Sequence, residues 1–177
     1  VANIGRILHI MGITDLGSGK INLSTPADVL FNEAYNCSAS EYAAMQFMLW
    51  ASAHKSVIFN SGNYFEQSND RARLSNVLNR ILLEHSCAVT NVNGVINGSL
   101  KSYDGNGLIH RFHSLNTFIQ IRPHVHISPP HPFLRQHLVA GVFFKTLDLA
   151  RSAKRPDINQ TLGHRFEEYV HQILSEG

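Results

Sequence analysis

The sequence predicts an α+β domain in which helices at both ends pack on a small antiparallel sheet at about residues 89–127. Three observations carry that prediction. Apolar residues recur at helical spacing in the first half and the last third of the chain. The middle is dense in Asn-Gly and Asp-Gly dipeptides flanked by short alternating runs, the pattern of antiparallel hairpins. A chain of 177 residues with 44% hydrophobic and 16% charged residues is also enough for one sizeable core. No linker, repeat or low-complexity tract interrupts it, so residues 1–177 are expected to form a single domain. The start at Val1 and the end just after a helical pattern give the expectation that it is a fragment of a longer protein.

In chain order, residues 4–13 read as a strand or short helix ended by Asp15, Gly17 and Gly19. Thr25 as N-cap and Pro26 at the first helical position open a helix to about Asn36. Ser38 and Glu41 have capping-box spacing, and the helix behind them, to about His54, carries Tyr42, Met45, Met48 and Leu49. A short strand at 57–59 precedes a helix at 70–85 marked by Leu74, Val77, Leu78, Ile81 and Leu82. Asn93-Gly94, Asn97-Gly98, Asp104-Gly105 and Asn106-Gly107 are read as hairpin turns. The runs 108–113, 117–122 and 124–127 are read as strands of a three- or four-stranded antiparallel sheet, broken by Pro129, Pro130 and Pro132. Leu134, Leu138, Val142, Phe143, Phe144, Leu147 and Leu149 cover most of the circumference of a helix at 133–154, which predicts that it is central and buried. Pro156 and Asp157 end it. A final helix from about Thr161 carries Leu162, Phe166, Val170, Ile173 and Leu174.

The net charge of +2, from 15 basic and 13 acidic residues, excludes a strong overall attraction to nucleic acid or anionic membrane. Eleven histidines make the chain more cationic in mild acid. The longest apolar stretch, residues 138–144, falls far short of the about 20 residues that cross a bilayer, so no membrane span is expected. Cys37 and Cys87 lie in no metal or nucleophile motif. They are expected to be reduced, half-buried thiols of a cytoplasmic protein, with pairing between them left open.

Histidines form the first chemical constellation. His124 and His126 fall on one side of a strand by its period of two, and His131 follows a proline-rich turn. Two strand imidazoles and one loop imidazole suit zinc or another divalent metal with an open position for water, hence a metal-dependent hydrolase. Carboxylates to orient such ligands are sparse nearby, and a solvated or partner-contacting histidine face is the competing reading. Gly17-Ser18-Gly19-Lys20 is not a phosphate loop. Thr14 stands where the first glycine belongs and Ile21 where a Ser or Thr must bind magnesium. No Gly-x-Ser-x-Gly elbow occurs. Arg151, Lys154 and Arg155, with Arg165 further on, form a basic segment. It suits either a helix C-terminus or contact with nucleic-acid phosphates.

The stretch Leu162-Gly163-His164-Arg165-Phe166-Glu167-Glu168-Tyr169-Val170-His171-Gln172-Ile173-Leu174 resembles the opening helix of restriction-endonuclease-like nucleases. The resemblance covers about 15 residues. It implies that Glu167 is the counterpart of a helical glutamate that assists metal binding. The family's later Asp and Glu-x-Lys strands would have to follow, and they are not in this chain, which by itself would not cleave. The sequence reading is therefore a non-catalytic recognition or scaffolding module of a larger protein, associated with nucleic acid or a protein partner and without a resident cofactor. A histidine-metal hydrolase and a self-assembling structural subunit, a homo-oligomer, are the alternatives.

Overall fold

The computed structural model describes residues 26–128 and 131–176. The expected element at 4–13, the glycine turn at 17–20 and the Thr25 cap lie outside the described residues. The class is α+β, with helices flanking a small four-stranded sheet. Contacts divide the chain into two compact units, residues 1–46 with 138–177, and residues 47–137.

The first unit contains α1 (Pro26–Tyr35), the opening turns of α2 (Ala39–Lys55), the second half of α6 (His131–Ser152) and α7 (Pro156–Glu176). α1 ends where Asn36 turns left-handed, at φ 61°, a conformation asparagine tolerates, with its N–H bonded to the Asn32 carbonyl at 2.9 Å. The capping box of α2 forms as its sequence predicts: Glu41 N–H donates to Ser38 Oγ at 3.0 Å and Ser38 N–H to Glu41 Oε2 at 2.9 Å. The buried Asp28 carboxylate accepts from Ala39 N–H at 2.8 Å, so a third acceptor serves the same helix start. Phe31, Tyr35 and Tyr42 centre the core, with ring centroids 4.8–6.1 Å apart, and Lys145 Nζ lies 5.2 Å over the Tyr35 ring.

α6 departs from expectation. Its described buried residues are Val142, Thr146 and Ala150, a single stripe four residues apart, while Phe144 is exposed. It is not buried all round: Phe143, Leu147 and Leu149 stay half-buried. Pro156 does not merely end one helix; it opens α7 at the position where its missing N–H costs nothing.

In the second unit, β1 (Ile58–Asn60), β2 (Ser86–Ala88), β3 (Phe118–Arg122) and β4 (Val125–Ile127) form a sheet in the order β1-β4-β3-β2. β1 and β3 pair antiparallel with β4, and β2 pairs parallel with β3, so the sheet is mixed rather than purely antiparallel. The crossover from β2 to β3 contains α4 (Val92–Ser99) and α5 (Gly105–Leu115). These are the residues whose Asn-Gly and Asp-Gly dipeptides predicted hairpins. Burial decides against the turn signal. Val92, Val95, Ile96 and Leu108 pack around Cys87, Leu100 and Phe112, and they meet that cluster only at helical spacing.

α3 (Arg71–His85) matches its predicted span and buries Val77, Leu78, Ile81 and Leu82. Across the sheet, Phe59, His126, Gln120 and Ala88 stand in one row, each beside its strand partner. Directly paired residues share a face, and Ser86 and Phe118 lie on that face by the same register. Cys87 and Ile119 lie on the other, against α4 and α5.

Candidate functional site

The hairpin between β3 and β4 closes through only Pro123 and His124. Proline at the first turn position and a positive φ at the second is the type II arrangement, whose second position ordinarily falls to glycine or asparagine. Here it is histidine, at φ 63°. Neighbouring groups hold it there. The His124 carbonyl accepts from Ser61 N–H at 2.8 Å and from Ser61 Oγ at 3.3 Å. Ser61 opens a single 3₁₀ turn (Ser61–Asn63) ordered by Asn60 Oδ1, which accepts from Gly62 N–H at 2.9 Å. A Cβ on Gly62 would lie 3.2 Å from Asn60 Oδ1 and 3.5 Å from His124 Cβ, so glycine lets this turn approach the hairpin.

His126 follows in β4 and is 3% exposed. Its ring stacks on Phe59, with centroids 5.5 Å apart and planes 21° apart, and meets the edge of Phe118. Burial pushes its pKa below the usual histidine value, aided by the nearby His124 charge and partly offset by a bond to the His124 backbone. No protein group hydrogen-bonds its Nδ1, and Ser86 Oγ is likewise buried without a protein partner. Such orphaned polar atoms are uncommon in folded proteins and call for an explanation.

Both residues line a cavity of about 240 Å³, together with Asn79, Leu82 and Leu83 of α3, Gln120 of β3, and Pro123 and His124 of the turn. The wall therefore offers two imidazoles, a hydroxyl, two carboxamides and three apolar side chains. Among the described residues it contains no carboxylate, lysine or arginine.

Of the three histidines singled out from the sequence, the fold brings His124 and His126 to one wall. It does so by turn and strand, not by two positions of one strand face. His131 opens α6, and its side chain lies outside the described residues. Among the described residues no group of three or more His, Cys, Asp or Glu side chains gathers as metal ligands do. Asn79, Ser86 and Gln120 were not singled out. Gln120 alone left a trace, as a polar residue sharing the strand parity of buried Phe118.

The basic segment lies in the first unit, at the corner between α6 and α7. Lys154 adopts φ 55° and donates its N–H to the Arg151 carbonyl, while Arg155 N–H reaches the Ala150 carbonyl at 2.8 Å. These are the two bonds of a Schellman cap, with lysine where glycine is usual. Arg155 forks onto Asp157 at 2.8–3.2 Å, which holds that carboxyl below its ordinary pKa. Arg151 is 81% exposed and 3.6 Å from Asp148, and Lys154 is exposed. Arg165 is half-buried on α7, where His164 Nδ1 lies 3.6 Å from the exposed Glu167.

Cys37 and Cys87 are buried and not disulfide-bonded, and burial pushes the Cys87 thiol up, away from nucleophilic thiolate. No helix among the described residues is long and apolar enough to cross a membrane. No protein-family model, curated protein or solved structure matches the chain.

Proposed function

We propose that the chain is a non-catalytic recognition module and that the hairpin cavity is its ligand-receiving element. The observation that carries the reading is His124. A non-glycine residue in the left-handed region costs about 1–2 kcal/mol, and the surrounding bonds from Ser61 hold it in place at the mouth of a cavity with both polar and apolar walls. Backbone strain that neighbouring structure over-determines clusters at functional positions. For the metal-hydrolase alternative, the described residues of the cavity wall supply His124 and His126 and no carboxylate to orient a ligand.

The test is an amide-shift survey by NMR with five probes at millimolar concentration: acetamide, glucose, uracil, acetate and inorganic phosphate. At least one probe is expected to move Ser86, Gln120 and His124 together. If none does, the cavity is not a binding site and the reading falls.

A second reading, contact with nucleic-acid phosphates through Arg151, Lys154 and Arg165, is favoured by the exposure of Arg151 and Lys154 at the corner between α6 and α7. Arg155 contributes less to it, because Asp157 already occupies its fork.

A further inference from the structure

We infer that the cavity beneath the β3–β4 turn takes an uncharged, planar group carrying hydrogen-bond donors and acceptors on one edge, of the kind a nucleobase presents. The inference rests on the recognition reading above and narrows it to a ligand class.

Charge is the first argument. A buried ion must exchange its hydration for a counter-charge or several charged hydrogen bonds. The lining of Asn79, Leu82, Leu83, Ser86, Gln120, Pro123, His124 and His126 has no group of fixed charge to supply either. His126 resists protonation because it is buried. The cavity is open at Leu83, Pro123 and His124, so an ion there keeps part of its hydration but gains no fixed counter-charge from the described lining, whereas an uncharged polar group needs none.

Shape and donor set are the second argument. About 240 Å³ lies below the usual range for sites that take drug-sized molecules, which begins at about 300 Å³, so the occupant is a single small ring or its equivalent. Leu82, Leu83 and Pro123 offer flat apolar contact, which suits a ring face. Asn79 and Gln120 each present a paired donor and acceptor, the arrangement by which carboxamides read the edges of bases. A sugar, with hydroxyls around its ring, would set some of them against Leu82, Leu83 and Pro123. A simple amide would leave the apolar side uncovered.

The ring can reach the site as a free base or as an unstacked base of a single strand, and the experiment separates the two. Purified full chain is titrated with uracil, adenine, benzoate and inorganic phosphate, and with short oligo-dT and oligo-dA, while the amides of residues 79, 86, 120, 124 and 126 are followed. A free base is expected to bind with a dissociation constant on the order of 1 mM, as suits a ligand of about ten heavy atoms. Benzoate and phosphate should bind at least tenfold more weakly. An oligonucleotide that shifts the same amides at tenfold lower concentration than the free base identifies the single strand as the source; equal concentrations identify the free base.

Asn79→Leu, at a half-buried helix position, should weaken base binding tenfold or more. Ser86→Ala removes an unpartnered hydroxyl without filling the cavity and serves as a second variant that is expected to fold. Binding of benzoate or phosphate with the bases inert would overturn the ligand class and leave the recognition reading standing. Silence from every probe would sink both.

Discussion

An imidazole buried between Phe59 and Phe118 is one the fold keeps neutral, and this gives His126 a thermodynamic signature. Its folded pKa lies below the unfolded value of 6.5. Between those two values the unfolded chain binds the extra proton. Stability is therefore full above pH 6.5 and declines as pH falls toward the folded pKa, below which this group adds no further dependence. His113 is shifted the same way by burial and adds a contribution of the same sign. Urea midpoints are accordingly expected to drop between pH 7.5 and pH 5.5. His126→Phe keeps the ring stack and removes the titrating group, so it should reduce that drop, with His113 contributing a remainder of the same sign. An undiminished drop in the variant would mean that His126 is solvated after all. At this scale the sequence was partly legible. The pair His124 and His126 stood out by spacing, but Asn79 and Ser86 reach the same cavity from other elements, and no local pattern joins residues that only tertiary packing brings together.

Elements whose signals are local were read correctly. The Ser38–Glu41 capping box and the apolar stripe of α3 both depend on residues within a turn or two of one another. The segment 89–115 was misread because two local signals conflict there. Leu108 and Phe112 fit a helix, whereas the alternation around them and the glycine dipeptides fit a hairpin; contact with Cys87 and Ile119, invisible in the local sequence, resolves the conflict. β2 left no signal, being three residues long and held by a parallel partner.

The outcome leaves α4 a helix of eight residues with two glycines inside it, a composition that favours the unfolded chain. A Cβ at Gly94 or at Gly98 meets nothing within 4 Å. Each Gly→Ala change should therefore stabilise by about 0.4–1 kcal/mol. Chemical denaturation of Gly94→Ala, Gly98→Ala and the double variant will check this, with near-additive gains expected. A loss of stability in either single variant would contradict the helical assignment of 92–99.

On the scale of the whole chain, charge is small and titratable: +2 at neutral pH, with eleven histidines in reserve. Phosphate contact through Arg151, Lys154 and Arg165, as proposed above, would therefore be local and dependent on salt. A labelled single or double strand of DNA or RNA is expected to bind at low ionic strength and to weaken about tenfold or more on moving to 0.2 M salt, the slope of a few released counterions. Lys154→Gln should flatten that slope by about one counterion. No binding even at low salt would remove the phosphate-contact reading and leave a free base as the only source of a ring in the cavity.

The strand order carries a kinetic consequence. β3 and β4 are neighbours in sequence and occupy the middle of the sheet, whereas β2 and β1 join it from far upstream, one on each side. Local closures are quick and distant ones slow. The central hairpin is thus the template on which the outer strands assemble, and its tip is His124. A residue that resists its own backbone angle there should raise the barrier to closing that hairpin, so His124→Gly is expected to fold faster in stopped-flow refolding.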